Sequence, residues 1–253
     1  MSKISVTTIA GLTSGGDANT VKIESGDDFV VDTNVLKVDS SNNRVGIGTA
    51  SPTQDLTIVN SGSARMELIS GTSGTSIMDM GDNADGDIGG IRYAQGTDTL
   101  QFRAGNDVRM SLDGSGRLTI PNQPSFFVGA SGQTAATNEI TSWGSGNVKH
   151  NIGSHFSESS GRFTAPVAGR YFFAFNSLQN GNGSQMTAII RINSGNLGIY
   201  VRTDGDSSEH HHTSGSGIFN LAANDYVSIY VTGGSAYGDT STYWTSFHGH
   251  LLS

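Results

Sequence analysis

RYFFAFNSL, Arg170–Leu178, reads as a β-strand that is apolar on both faces. Side chains alternate across a strand, so Tyr171, Phe173 and Phe175 share one face, and Phe172 and Ala174 share the other. Such a strand needs a core on one side and another layer or a subunit on the other. Outward from it, short apolar runs recur between polar loops: Ser125–Val128, Gly161–Ala165, Met186–Ile192, Leu197–Arg202, Ser214–Asn220, Tyr226–Thr232 and Tyr243–Leu252. Their number and spacing predict a two-sheet β-sandwich.

The aromatic residues bound that sandwich. Of 20 Phe, Tyr and Trp, 17 follow Pro124, and only Phe29, Tyr93 and Phe102 precede it. Aromatics carry the largest apolar area per residue, so the back half holds a thick core and the front half is thin. Gly numbers 35 against 4 Pro, and only 14% of the 253 residues are charged. With few helix formers and many turn formers, the chain reads as almost all β. It has no Cys, which excludes disulfides, thiolate metal sites and a Cys nucleophile. The net charge is −8, of which −6 falls on residues 1–123 and −2 on 124–253, which disfavours nucleic acid. No run approaches the ~18 apolar residues of a membrane span. Met1–Gly16 is mostly polar and unlike a secretory signal, so synthesis in a cytoplasm and release by lysis are expected.

The front part carries short alternating runs: Ile4-Val6, Val21-Ile23, Leu36-Val38, Val45-Ile47 and Leu56-Ile58. LKVDSSNNRVGI (Leu36–Ile47) and MSLDGSGRLTI (Met110–Ile120) share one pattern, apolar-x-apolar-Asp, a polar turn, then Arg-apolar-x-apolar. Each predicts a β-hairpin. Thin hairpins cannot bury a face alone and must stack on neighbours or on other chains. Three intertwined chains sharing an axial core would offset the backbone entropy that one thin chain would not.

Two resemblances follow from particular segments. NNRVGIGTASPTQDLTIVNSG (Asn42–Gly62) resembles the N-x-V-G-I-G-T-x-x-P segment of bacteriophage tail-fibre proteins, and Asp87–Ile120 is similar to the meander that often follows it. SESSGRFTAPVAGRYFFAF (Ser157–Phe175), TSGSGIFNLAANDYVSIYV (Thr213–Val231) and STYWTSFHGHLLS (Ser241–Ser253) resemble, in order, three signatures of the complement C1q globular head. Asn224-Asp225 stands where that family has Gly-Asp, and His248 where it has Ser. The resemblances imply an all-β chain: a slender trimeric β shaft of short hairpins, then a C1q-like jelly-roll β-sandwich head of the tumour necrosis factor type. They imply a virion-attachment segment at 1–28, a shaft at 29–123 and a head at 124–253. The implied protein is a virion component, a homotrimeric tail fibre. Its N-terminus would hold a tail or capsid protein, and its head a host cell-surface glycan or protein. Alternatives are a capsid head fibre or decoration protein, a capsular polysaccharide depolymerase, and a cellular C1q-like lectin.

Antiparallel strands send their connections to alternate ends, so the long polar loops Gln179–Gln185, Thr203–Thr213 and Gly233–Thr242 are expected together at one end. Ser253 is expected at the other. Candidate receptor-binding residues on these loops are Asn180, Asn182, Asp204, Asp206, Glu209, His210, His211, His212, Tyr237 and Asp239. His210-His211-His212 beside acidic residues suggests an apical metal or anionic-glycan site, or else a solvated polar loop. Tyr237, Tyr243 and Trp244 suggest sugar stacking, with interface packing the alternative for Trp244. His248 and His250 share a strand face with Trp244, and these three are candidates for a trimer axis where imidazoles could hold a metal or anion, or simply sit buried and neutral. No Ser-His-Asp pattern or carboxylate pair marks a catalytic site, so no enzyme and no cofactor is expected beyond that ion.

Overall fold

The computed structural model describes residues 29–31, 35–180, 185–195, 198–204 and 210–253. The expected 1–28 attachment segment, with its Ile4-Val6 and Val21-Ile23 runs, lies outside the described residues, as do Asn182, Asp206 and Glu209. The chain forms two compact units, Met1–Ile69 and Ser70–Ser253.

In the first unit, β1 (Phe29–Val31), β2 (Leu36–Asp39), β3 (Arg44–Ile47) and β4 (Leu56–Ile58) form one sheet in that order. β2 and β3 make the expected hairpin, pairing Leu36 with Ile47 and Val38 with Val45. Asp39 closes the turn by accepting from the backbone N–H and the side-chain amide of Asn42. β4 returns parallel to β3. The return depends on Gly48: its φ is +76°, and a Cβ there would stand 2.0 Å from the Val59 carbonyl oxygen.

The second unit begins with a meander of β5 (Thr75–Met80), β6 (Gly89–Ala94), β7 (Thr99–Ala104), β8 (Asp107–Asp113) and β9 (Leu118–Thr119). The second expected hairpin is β8–β9, with Arg117 Nε donating to Asp113 across its turn at 2.7 Å. Register aligns Met78, Ile91, Phe102 and Met110 in one row, and Tyr93, Leu100, Leu112 and Leu118 in the next. Both rows lie on the same face. The opposite face carries Asp79, Arg92, Gln101 and Arg103, with Arg92 paired to Asp79 at 3.3 Å.

The remaining strands form two facing sheets. They are β10 (Ser125–Ala130), β11 (Thr134–Ala135), β12 (Asn138–Glu139), β13 (Trp143–Ile152), β14 (Phe156–Ser157), β15 (Arg162–Thr164), β16 (Gly169–Gln179), β17 (Thr187–Ile192), β18 (Gly198–Arg202), β19 (His212–Leu221), β20 (Tyr226–Gly233), β21 (Ser235–Tyr237) and β22 (Ser246–Leu251). One sheet runs β11-β21-β16-β22-β10-β13, with β19 also on β16, and the other runs β14-β15-β20-β17-β18, with β12 on β20. Tyr171, Phe173 and Phe175 of β16 are fully buried between them with Phe126, Phe163 and Phe247. The rings of Phe126, Phe163, Tyr171, Phe173 and Phe247 pack at 4.9 to 6.2 Å, as in Phe126–Phe247 and Tyr171–Phe173. The other face of β16 carries the half-buried Phe172 and Ala174. The core expected on one side of this strand is therefore present, and the opposite face is half-covered. Asn224 takes φ +71°, the conformation for which the C1q pattern uses Gly, and Asp225 secures it by accepting from the Ala222 N–H at 2.8 Å.

A half-buried charge cluster ties β12 to the other strands of the second sheet. Glu139 accepts from Arg191 at 2.7 Å, Arg162 at 2.9 Å and the Ser228 hydroxyl at 3.0 Å. The two guanidiniums also lie over the rings of Tyr226 and Tyr230. Burial pushes the Glu139 carboxyl pKa up, but the donors from Arg191, Ser228 and Arg162 outweigh it and hold the pKa below its usual value. A depressed folded pKa contributes stability above the unfolded value, lost as pH falls through the folded one. Glu139→Gln should cost about 2–4 kcal/mol in urea unfolding at neutral pH, since it leaves Arg191 buried without its charge partner. The difference between variant and parent should shrink as the pH is lowered past the carboxylate range.

Candidate recognition site

The loop-rich end of the sandwich is built on a buried polar plug. The Ser177 and Thr245 hydroxyls lie 3.1 Å apart, and the Thr203 hydroxyl donates to Gln179 Oε1 at 3.1 Å while accepting from the Met186 N–H at 2.9 Å. These groups end β16, follow β18 and precede β22, so they hold the three connections to one rigid end. The Gln179 N–H donates to the His211 carbonyl at 2.8 Å, and the Asn180 N–H to the Ser235 carbonyl at 3.0 Å. The described ends of the three long connections therefore gather at one end. Ser253 lies at the other, its carbonyl accepting from the Arg170 N–H at the start of β16. The third connection is shorter than the sequence predicts, because Ser235–Tyr237 forms β21 against β11 and β16. The second shortens at its end, where His212 and Thr213 already belong to β19.

Asn180, His210 and Tyr237 come together here. The His210 and Tyr237 rings lie 6.1 Å apart, His210 Nδ1 bonds the Gln179 carbonyl at 2.9 Å, and the Asn180 amide donates to Gln133 Oε1 at 2.7 Å. Asp204 is exposed. The three adjacent histidines separate: His210 and His212 are exposed, while His211 is half-buried and its Nε2 has no hydrogen-bond partner among the described residues. Asp239 is committed to its own turn. It accepts from the N–H and hydroxyl groups of both Ser241 and Thr242 at 2.7 to 2.9 Å, and the Thr242 hydroxyl chiefly pulls its pKa down to about 2. Among the described residues no three His, Asp or Glu side chains gather as a metal site.

Of the loop aromatics, Trp244 is the open one, 45% exposed. It precedes β22 and faces His212, ring to ring at 5.6 Å. Register places Asn176 opposite Ser214 beside these rings. That pair is 38 positions apart in sequence, and no local pattern shows it.

His248 and His250 lie on the outward face of β22. Cross-strand register puts Ala174, His248, Phe127 and His150 in one row, and His250 beside Phe172. His248 stacks on Phe127 at 5.5 Å, and its Nδ1 is buried with no partner among the described residues. Burial, then the neighbouring His250 and His150, push its pKa below the usual imidazole value. Here the shift is opposite to that of a histidine gaining a partner. As pH falls below about 6.5, the unfolded chain takes up a proton that the folded one refuses, so stability falls. The melting temperature should drop between neutral pH and the folded His248 pKa, and His248→Gln should flatten that slope.

The family described as "C1q domain" matches residues 125–252. Complement C1q tumor necrosis factor-related protein 3 of Mus musculus is 30% identical over 106 residues, 42% of this chain and 42% of that protein. The Homo sapiens protein of the same name is 30% identical over 110 residues with the same coverage. The chain thus spans less than half the length of these relatives. Among solved structures, the globular domain of zebrafish complement 1qA protein aligns at 19% identity and a TM-score of 0.42, covering 52% of this chain and 98% of that one. Eiger TNF from S. frugiperda aligns at 8% identity and a TM-score of 0.43, covering 52% and 94%. The two-sheet core, the ordered signatures and the match over 125–252 agree: the chain belongs to the C1q domain family.

Proposed function

We propose that the chain is a homotrimeric bacteriophage tail fibre whose C1q head attaches to the surface of the host cell. The single observation that carries the fibre reading is the meander of β5–β9. The two apolar rows and Met80 share one face, yet Met78, Met80, Ile91, Tyr93, Leu112 and Leu118 remain 36% to 57% exposed. A lone sheet with one apolar face needs a cover, and three copies around an axis supply it. The resemblance of Asn42–Gly62 and Asp87–Ile120 to tail-fibre proteins supports a shaft over 29–123, with 1–28 assigned to the virion by position. The loop end of the head is then the host-facing surface. Several weak sites per fibre, and several fibres per particle, give avidity without any reaction. The head's carboxylates suit binding better than catalysis, since Glu139 holds arginines and Asp225 and Asp239 hold turns.

The mammalian origin of the relatives favours a second reading, a cellular C1q-type lectin. The adsorption assay separates the two. Purified full-length chain should block adsorption of the phage that carries it in a dose-dependent way. A folded protein that neither binds cells nor blocks adsorption, with antibody decorating capsids instead of tails, would replace this reading with a capsid fibre. Shortening of host polysaccharide would replace it with a depolymerase.

The solution mass should be that of a trimer. Ile91→Lys, on the apolar row of the meander, should shift it toward the monomer while the head keeps the emission of its buried Trp143.

A further inference from the structure

One sheet of the head holds basic side chains and no acidic one. None of its seven strands, β10, β11, β13, β16, β19, β21 and β22, contains Asp or Glu. His248 sits on its outward face, in a hollow of about 490 Å³ that Phe172, Ala174, Asn176, Ser214 and Ser216 also line. Ile218 stands beside Phe172 in register, and Trp244 shares a second hollow with Asn176 and Ser214. Both are open in the single chain, at 63% and 45% exposed. C1q domains assemble as homotrimers, so the cover this apolar face needs is a second copy. We propose that a second copy of the head covers this face, and that His248, His250 and His150 make the contact an acid-sensitive latch, closed at neutral pH and opened when these imidazoles take up protons.

The sheet has no internal group to neutralise an added charge. His248 stacks on Phe127 at 5.5 Å and lies 6.5 Å from the Phe172 ring, whose other imidazole neighbour is His250 at 5.5 Å. In register, Phe127 stands between His248 and His150. The Lys149 ammonium lies over the Tyr243 ring, which in turn meets the edge of Phe127. The other cationic or imidazole groups of these strands are Arg170 near the start of β16 and His212 at the start of β19. Asp239, in the loop before β22, is committed to Ser241 and Thr242. His248 Nδ1 is buried with no hydrogen-bond partner among the described residues. Burial, then His250 and His150, already hold its pKa low in the single chain, and a second copy over the hollow removes more water from it. The C1q signature has Ser at this position, so the latch belongs to this chain.

By linkage, an assembled head that binds fewer protons than the separate one loses association as pH falls. The loss sets in below the pKa of His248 in the separate head, itself under the ordinary ~6.5. Each excluded proton lowers the association constant by up to about tenfold per pH unit, and three copies of His248 by up to about a thousandfold.

The latch rests on the homotrimer reading, and Trp244 reports on it in the full-length protein. The meander keeps the chains together in either state, so the readout is exposure and not mass. Trp143 is 4% exposed, so acrylamide quenching of tryptophan emission reads the cover over Trp244. Quenching should be weak at about pH 7.5 and rise severalfold by about pH 5, reversibly and with unchanged far-ultraviolet circular dichroism. His248→Ser, which restores the residue of the C1q signature, and His248→Gln should each remove most of the rise. His212→Gln, beside Trp244 but outside the hollow of His248, should leave the rise in place. A rise that survives both His248 variants, or quenching equally weak at both pH values, would overturn the latch while the trimer stands. Strong quenching already at neutral pH, from a protein of trimeric mass, would show the face uncovered and overturn it too. A monomeric mass at neutral pH would instead defeat the homotrimer reading and the latch with it, which keeps the two failures distinct.

Discussion

The stacked aromatic layer between the two head sheets is the contact on which the rest depends. Phe126 touches Phe156, Phe163, Phe173 and Phe247, so rings from β10, β14, β15, β16 and β22 meet in one cluster. Each ring fills space that a smaller side chain would leave empty, and such voids cost about 3–5 kcal/mol per Phe→Ala change. The neighbouring backbone is shaped to this layer. A Cβ on Gly249 would stand 2.4 Å from the Phe173 ring, and one on Gly217 would stand 2.1 Å from Ile199. The glycines within the C1q signatures therefore let strands approach aromatic and β-branched neighbours closely. The signature records packing, which is why it identifies a fold before it identifies a ligand.

The same physics leaves the meander unfinished. The head has two apolar sheet faces that close on each other, whereas the apolar face of β5–β9 keeps Met78, Met80, Ile91, Leu112 and Leu118 36% to 57% exposed among the described residues. Its charged face is largely paired, with Arg92 bonded to Asp79 and Asp87 and Arg103 donating to the Asp87 carbonyl at 3.1 Å. The polar side is therefore largely paired while the apolar side stays open to solvent in the single chain.

What the sequence showed, and what it hid, divides along that line. Strands with dense apolar alternation were legible to within a few residues, β16, β17 and β20 among them. The ten-residue β13 was not, because WGSGNVKHNI mixes glycine, asparagine and charge and its pairing with β10 is interrupted by irregular register. Its pairing comes from the neighbouring strand, and propensity alone does not show that. At the candidate site, loop clustering could be deduced from strand direction. The fate of each side chain could not. Asp239 has the chemistry of a ligand, but a turn consumes it. Of the three aromatics expected to offer stacking faces, Tyr237 is partly covered, with His210 at 6.1 Å, and Trp244 is the exposed ring. Asn176 and Ser214 became partners only through register.

Mobile loops and fixed strands contribute different things to recognition. Loops vary easily because few contacts constrain them, so they suit changing targets. Strand residues are held by ladder hydrogen bonds and the core behind them, so a site on strands loses little freedom on binding. In this head, Asn176 and Ser214 stand on strands, and Ser177, Thr245, Gln179 and Thr203 lock the adjacent loop roots from within. The roots of these loops are thus rigid.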